Sequence, residues 1–226
     1  MKCCLILVLA AISCQAFLAA GVEVKKSPVT VDVYYESLCG DSMNFIKRQL
    51  TPSYPKLKDY VKVNFIPYGK ATHTKDQETA GPWVFSCQHG SEECHGNKAQ
   101  ACAINEIQSL ENPVDQERLA VELVGCAILS SRYPPTAIPQ CAQTVGLNQE
   151  AQKRITQCLD GPQGDDLLAK YGDRTRELQP QISFVPTVVI NGEYSRKNQN
   201  AALRNFFSLI CKNLPQDGRP SDCPAN

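Results

Sequence analysis

Several features that assign proteins to common functional classes are missing from this 226-residue chain. Lysine plus arginine and aspartate plus glutamate balance at 23 each, so the composition indicates no surface for nucleic acid or another polyanion. The chain has no basic run, no glycine-rich phosphate loop and no low-complexity tract. It also has no Asn-x-Ser/Thr sequence, so N-glycosylation is not expected.

Long apolar runs are missing too, except near the start of the chain. Lys2 precedes the apolar run Leu5–Ile12, and small residues follow up to Gly21, which is typical of a secretory signal peptide over residues 1–20. Position and flanks favour this interpretation over a buried N-terminal helix. No other segment approaches the roughly 20 apolar residues of a membrane helix, so no membrane span is predicted. The mature chain should therefore fold in an oxidising compartment.

The most informative missing residue is the second cysteine of a redox motif. Cys39-Gly40-Asp41-Ser42 has the form of a Cys-x-x-Cys motif that ends in serine. A cysteine at a helix start faces unpaired N–H groups and the positive end of the helix dipole, and both favour the nucleophilic thiolate. Ser42 could donate a hydrogen bond to that thiolate, whereas the charge of Asp41 opposes it. A buried or disulfide-bonded Cys39 is the alternative.

The number of cysteines also bears on Cys39. Three of the twelve cysteines lie in the expected signal peptide, which leaves nine, so at least one is unpaired within a monomer. Setting Cys39 aside leaves eight, enough for four disulfides. We prefer Cys39 as the free thiol because of its helix-start position. A free thiol elsewhere or an interchain disulfide is the alternative.

Two strands and a helix between them are predicted at the start of the mature chain. Val29–Tyr35 and Val61–Pro67 are rich in β-branched and aromatic residues, and the valines of the first share one face. Met43–Leu50 has helical spacing, and Pro52 is expected to end that helix. A helix between two strands makes a βαβ unit with a parallel strand pair.

The middle of the chain is predicted to be helical. Glu92–Leu110 can form one helix, and Asn112-Pro113 resembles a cap followed by a proline in the first helical position. Ala142–Leu159 and Asp165–Leu178 are further helical candidates. We interpret their apolar stripes as core packing. No cofactor is predicted, because none of these stripes forms a cofactor motif.

The end of the chain returns to β structure. Thr187–Ile190 reads as a strand, Asn191-Gly192 as a hairpin turn and Glu193-Tyr194 as the return strand. Asn200–Leu214 is predicted to be a closing helix, and its inner side should carry Leu203, Phe206, Phe207 and Ile210.

This order of elements predicts an α/β, thioredoxin-like fold, stabilised by disulfides. The domain should span residues 28–214, with a helical insertion at about 87–178 and a C-terminal tail at 215–226. In such folds a cis-proline before the late strand lies opposite the active cysteine and leaves backbone groups free to pair with substrate. Pro186 has that position, although a trans proline that opens a strand is the alternative.

A longer motif is far more specific. The segment from Cys87 to Cys102 matches C-Q-H-G-x-x-E-C-x-x-N-x-x-x-x-C at all eight defined positions. It resembles the signature of the gamma-interferon-inducible lysosomal thiol reductase (GILT) family, and Cys39 stands where that family has its redox motif. The resemblance implies a thioredoxin-like fold, delivery to the cell exterior or the lysosome, and reduction of protein disulfides. Ser42 departs from the C-x-x-C of many members, which should weaken turnover.

The signature cysteines are expected to be structural. On one helix, Cys94 and Cys102 would lie about 12 Å apart, and disulfides need Cα atoms within about 7 Å, so these two should not pair with each other. A zinc site that adds His89 and His95 is disfavoured by the spacing and the compartment, and no metal is predicted. His89 is more easily read as structural than as a proton donor.

Two functions from different classes fit the sequence. The first is a thiol-disulfide oxidoreductase whose catalytic residues are Cys39, Ser42 and Pro186, with disulfide-containing proteins and a small-molecule thiol reductant as partners. The second is a secreted, catalytically silent module that binds proteins through the same face. The fold alone does not separate them. The serine at position 42 favours the silent module, whereas retention of Cys39 at a helix start favours the oxidoreductase, which we prefer.

Overall fold

The structure is a computed structural model, and it describes residues 28–75, 81–130 and 136–224. The predicted signal peptide at residues 1–20 lies outside these ranges. Within them, no helix combines the length and the apolar character that a membrane crossing requires.

The described part of the chain contains five strands and eight α-helices. The strands are β1 (Val29–Tyr35), β2 (Val61–Pro67), β3 (Thr72–Lys75), β4 (Trp83–Ser86) and β5 (Thr187–Ile190). The helices are α1 (Gly40–Phe45), α2 (Thr51–Leu57), α3 (Ser91–Gln108), α4 (Pro113–Leu129), α5 (Ile138–Thr144), α6 (Gln149–Asp160), α7 (Pro162–Glu177) and α8 (Arg196–Asn213). A π-helical segment, Ile46–Leu50, joins α1 to α2.

The central sheet has the order β2-β1-β5, with β1 parallel to β2 and antiparallel to β5. The predicted βαβ unit is therefore confirmed. Successive side chains of β1 point to opposite faces: Val31 and Val33 enter the main core, whereas Tyr34 packs on the other face with Ile66 and Val189. Helices α3 to α7 lie between β2 and β5 in the chain. This is the predicted thioredoxin-like fold with a helical insertion.

A second, two-stranded sheet precedes the insertion and was not predicted. Strands β3 and β4 pair as an antiparallel hairpin. Each has only four residues, and the half-buried apolar side chains among them are Trp83 and Phe85, both in β4. Short, exposed strands carry little sequence signal because their stability comes from packing against α7, which the sequence does not display.

Two helix predictions need correction. Pro52 does not end the first helix, which continues through the π-helical segment into α2. The Thr51 N–H donates to the Ile46 carbonyl, and this wider turn gives the proline ring, which has no N–H to offer, room to enter the next helix. The predicted helix Ala142–Leu159 is divided into α5 and α6, because Gly146 adopts a left-handed conformation and Asn148 caps α6.

Two predictions at the end of the chain also need correction. Beyond the Asn191-Gly192 turn, the predicted return strand is reduced to one bridge between Ile190 and Glu193. Helix α8 is kinked at Asn205, whose side chain accepts the Ser208 N–H and so starts the second half of the helix. As a result, Leu203 is 40% exposed instead of facing the core, whereas Phe206 and Ile210 are buried as predicted.

Four disulfides stabilise the described chain, and Cys39 is its free cysteine, as predicted from the odd number of cysteines and the helix-start position of Cys39. The pairs are Cys87–Cys94, Cys102–Cys158, Cys126–Cys141 and Cys211–Cys223. The prediction that Cys94 and Cys102 do not pair with each other is confirmed. The last pair ties the C-terminal tail to α8.

Candidate active site

Cys39 lies at the end of the loop that leaves β1 and is the N-cap residue of α1. Its carbonyl accepts the Met43 N–H at 2.9 Å, which starts the helix. Its thiol is half-buried and donates to the carbonyl oxygen of Val185 over 3.8 Å. The Val185–Pro186 peptide bond is cis, as expected from the fold. The structure therefore brings together two of the predicted site residues, Cys39 and Pro186, from opposite ends of the chain.

The third predicted site residue, Ser42, lies one turn along α1 and is fully buried. Its hydroxyl accepts the N–H of Glu36 over 3.5 Å. Among the described residues, the hydrogen bond of the Cys39 thiol is with Val185 and not with Ser42. Ser42 therefore contacts the loop that precedes the nucleophile.

A shallow cavity of about 340 Å³ lies beside the proline loop. It is lined by Asp41, Asn44, Phe45, Phe184, Val185, Pro186 and Leu203. Phe184 and Leu203 are large apolar side chains that are 39% and 40% exposed. The Cys39 loop thus borders a surface on which an apolar polypeptide segment could rest.

The signature segment holds the loop that leads to Cys39, a role that sequence reasoning did not assign to it. Asn97 accepts the Ser37 N–H at 2.8 Å, and the Ser37 hydroxyl donates to the Glu93 carbonyl at 3.2 Å. Ser37 and Asn97 are completely buried. These bonds join the insertion to the loop after β1. The polar positions of the signature within α3 were the available sequence signal for such a role. They do not show that Ser37 is the residue to which Asn97 bonds.

Glu36 is a second residue that sequence reasoning missed. Its carboxylate is fully buried, one oxygen accepts the Lys70 N–H at 2.7 Å, and the other faces His89 at 3.7 Å. Burial raises the pKa of Glu36, although the Lys70 N–H opposes the shift. The backbone N–H of His89 donates to the Glu93 carboxylate, and the His89 ring lies 2.5 Å from the same carboxylate.

The sheet order and the Cys39–proline arrangement define the class: this is a thioredoxin-like thiol-disulfide oxidoreductase fold. A solved relative in fold is MdbA, a thiol-disulfide oxidoreductase from Actinomyces oris. It superposes with a TM-score of 0.55 at 16% identity, over 86% of this chain and 84% of that chain.

Sequence comparison gives the family. The family model described as gamma interferon inducible lysosomal thiol reductase (GILT) matches residues 30–145. A GILT-like protein of Anopheles gambiae is 36% identical, over 88% of this chain and 83% of its own length. A GILT of Carassius auratus is 31% identical, over 87% of this chain and 72% of its own. The chain belongs to the GILT family.

Proposed function

We propose that this protein exchanges thiols and disulfides with protein substrates through Cys39 as its single nucleophile. One observation carries the proposal: Cys39 is a half-exposed free thiol at a helix N-terminus, while the other eight described cysteines are paired. At that terminus the thiol lies beside unpaired backbone N–H groups and the positive end of the helix dipole.

The reaction is a series of thiol–disulfide exchanges that begins and ends with Cys39 as a free thiol. The Cys39 thiolate attacks one sulfur of a substrate disulfide, so a bond forms between enzyme and substrate while the second substrate sulfur leaves as a thiolate and takes up a proton. A second thiol of the substrate can then attack the substrate sulfur of the mixed disulfide, which releases Cys39 as a thiol and leaves the substrate with a rearranged disulfide. With an external thiol, one equivalent attacks the Cys39 sulfur and releases the reduced substrate, and a second equivalent then attacks the resulting disulfide between Cys39 and the first. Cys39 is freed, the substrate has gained two thiols, and two external thiols have been oxidised to one disulfide.

The surroundings of Cys39 support this role. The Val185 carbonyl, which lies beside the thiol, can accept an N–H from an extended substrate backbone. The apolar surface formed by Phe184 and Leu203 would hold residues that flank the substrate disulfide. Because a buried hydroxyl stands at position 42, resolution of the mixed disulfide by an external thiol is bimolecular and lacks the high effective concentration of a built-in thiol. Mixed disulfides should therefore persist.

The test compares wild type with Cys39→Ala and Ser42→Cys on a model protein disulfide, with dithiothreitol as reductant. Wild type should accumulate mixed disulfides, visible as mass-shifted species on a non-reducing gel. Ser42→Cys should restore a dithiol one helical turn apart and reduce the substrate much faster. Cys39→Ala should show neither behaviour.

A result in which wild type traps no partner and Ser42→Cys gains nothing would contradict single-cysteine exchange. It would favour a silent binding module on the same fold. Alkylation and peptide mapping of the native, non-reduced protein provide a direct check: one reactive thiol is expected, at Cys39.

We also infer that the protein works outside the cytosol, either secreted or in the lysosome. Four disulfides require an oxidising compartment to form, and residues 1–20 have the pattern of a signal peptide. Retention of the intact leader on the purified cellular protein, seen by N-terminal sequencing, would contradict this inference.

A further inference from the structure

A cluster of three side chains lies behind the loop that carries Cys39. Glu36 directly follows β1, and His89 and Glu93 lie at the start of the insertion. The Nδ1 atom of His89 lies 2.5 Å from Oε2 of Glu93 and 3.7 Å from Oε2 of Glu36. Each of these three atoms lies within 4.8 Å of the other two. Three potential metal-ligating atoms thus converge on one point.

The structure sets the orientation of the Glu36 carboxylate. Its Oε1 atom accepts the Lys70 N–H at 2.7 Å. Its side chain packs over Gly69, which has φ +62°, and a Cβ there would overlap the Glu36 side chain. Oε2 is buried and has no hydrogen-bond partner, although it faces the other two ligand atoms. A buried carboxylate oxygen without a partner is costly, so its position indicates that something else pairs with it.

The charge of the cluster also indicates a cation. The side chains of Glu36 and Glu93 are completely buried. Among the described residues, the ion-pair partner of both is the single imidazole of His89. A bound cation would supply the positive charge that one imidazole does not give two buried carboxylates, because buried charges are stable when they are paired or bind a metal.

The cluster is open on one side and held together on the other. The His89 side chain is 44% exposed, so an ion can enter past the imidazole. The disulfide Cys87–Cys94 closes the short loop that contains both His89 and Glu93. This bond limits the movement of the two ligands relative to each other, as a preformed site requires.

We propose that Glu36, His89 and Glu93 bind one divalent transition-metal ion of the Zn²⁺ type, with water completing the coordination. One imidazole nitrogen and two carboxylate oxygens are ligands that zinc accepts at roughly 2.0–2.2 Å. Opposite ligands at that distance are at most about 4.2 Å apart, so small side-chain shifts bring all three to one ion. The imidazole favours a transition metal over Mg²⁺ or Ca²⁺, which prefer oxygen ligands only.

The experiment measures metal binding without relying on activity. The full mature chain with its four disulfides intact is prepared as Cys39→Ser, because a free thiolate also binds zinc. Equilibrium dialysis against ZnCl₂, followed by elemental analysis, should find one zinc per chain. This result is independent of the proposed exchange reaction, since the Cys39→Ser protein cannot carry it out.

Two ligand variants and two matched controls locate the site. In the Cys39→Ser background, Glu36→Gln and His89→Ala should each weaken zinc binding at least about 100-fold, since losing even an outer partner of a ligand costs about 10–100-fold. His95→Ala, in the same signature, and Glu92→Gln, beside Glu93, should bind as the parent does. Circular dichroism and thiol counting establish that each variant is folded.

Two results would overturn the proposal. The first is no zinc bound by the folded Cys39→Ser protein. The second is binding that His89→Ala leaves unchanged, which would place the metal elsewhere; His89 is partly exposed, so this variant should fold even if Glu36→Gln does not. Equal binding of Mg²⁺ or Ca²⁺ in a competition dialysis would contradict the transition-metal assignment.

Discussion

The two regions that meet behind Cys39 are stabilised in different ways. In the described chain, the helical insertion between β4 and β5 contains three of the four disulfides, whereas the thioredoxin-like part has only Cys211–Cys223, which ties the tail to α8. None of the four links one region to the other. Packing, hydrogen bonds and the pairing of charges join them instead. The insertion is therefore cross-linked by three disulfides, while the part that carries the nucleophile has one, at its C-terminal end.

This difference has a chemical consequence. A reactive thiol can attack any disulfide that it reaches. The Cys102–Cys158 pair is buried, with both residues at most 5% exposed, and lies within the insertion. Burial in a separate region protects such a bond from Cys39. The comparison teaches that a permanent disulfide core and a reactive thiol can coexist when they occupy different regions.

The largest expected effect comes from removing a disulfide of the insertion. Cys102→Ala/Cys158→Ala opens a loop of 56 residues, and loop entropy alone predicts a loss of about 4 kcal/mol of unfolding free energy. The matched variant Cys211→Ala/Cys223→Ala opens a loop of only 12 residues in the other region. It should lose about 3 kcal/mol. Denaturant unfolding measures both.

An equal or reversed order of these two losses would show that the insertion does not depend on its covalent links more than the thioredoxin-like part does. Mixed-disulfide trapping by Cys39 gives a second readout. It should survive in the Cys211→Ala/Cys223→Ala protein, because that bond lies outside the insertion that holds the Cys39 loop.

A smaller effect is expected from Asn97, which joins the two regions. Asn97→Ala removes the acceptor of the buried Ser37 N–H. An unpaired buried donor costs roughly 1–3 kcal/mol, so we expect a loss of about 2 kcal/mol. The rate of alkylation of Cys39 should also change, because the loop before it is no longer held. Gln108→Ala, at the exposed end of α3, is the control and should change the stability by less than about 0.5 kcal/mol.

If Asn97→Ala unfolds at the same denaturant concentration as Gln108→Ala, the hydrogen bond between Asn97 and Ser37 contributes nothing measurable to the free energy of unfolding. If it is destabilised but the alkylation rate of Cys39 is unchanged, the bond stabilises the fold without positioning the thiol.

The smallest expected effect is a pH dependence of stability that arises where α4 of the insertion contacts α2 and β2. Glu117 of α4 has a pKa raised to about 7, mainly by burial, while Tyr54 of α2 and the Val63 N–H of β2 oppose the shift. The folded state therefore holds this proton more tightly than the unfolded chain does. The resulting stability is fully present below the unfolded pKa and is lost as pH rises through about 7.

Between pH 5 and pH 8, ionisation of Glu117 should therefore lower the unfolding free energy of the wild type by about 1–2 kcal/mol, after allowance for partial exposure. The unfolding free energy of Glu117→Gln should fall by about 1–2 kcal/mol less than that of wild type over the same pH range. Denaturant unfolding at both pH values measures the difference. A stability of Glu117→Gln that falls as steeply as that of wild type would assign the pH dependence to other groups.

Sequence reasoning succeeded where the signal is local. The bounds of β1, β2 and β5 follow from runs of β-branched and aromatic residues. It failed where a distant partner decides the conformation. At the kink in α8, the Phe206 N–H donates to the side chain of Gln49 instead of to a carbonyl of the helix. A residue far away in sequence therefore stabilises the kink. The exposure of Leu203 could not be predicted without this contact.

The candidate site shows the same division. The helix-start position of Cys39 and the place of Pro186 were readable because each depends on its neighbours in the chain. The roles of Glu36 and Asn97 were not, because each acts on a partner that is far away in sequence. A sequence motif shows which residues occur together, but it does not show which distant residues they contact in the folded protein.

The sequence by itself determined the fold class, the family and the free cysteine, because periodic patterns, an eight-position signature and an odd number of cysteines are properties of the chain alone. Only the tertiary structure decided the disulfide pairing, the direction of the signature side chains and the convergence of Glu36, His89 and Glu93. Those features depend on which surfaces are buried against each other, and burial determines both the cost of an unpaired charge and the partner that must compensate it.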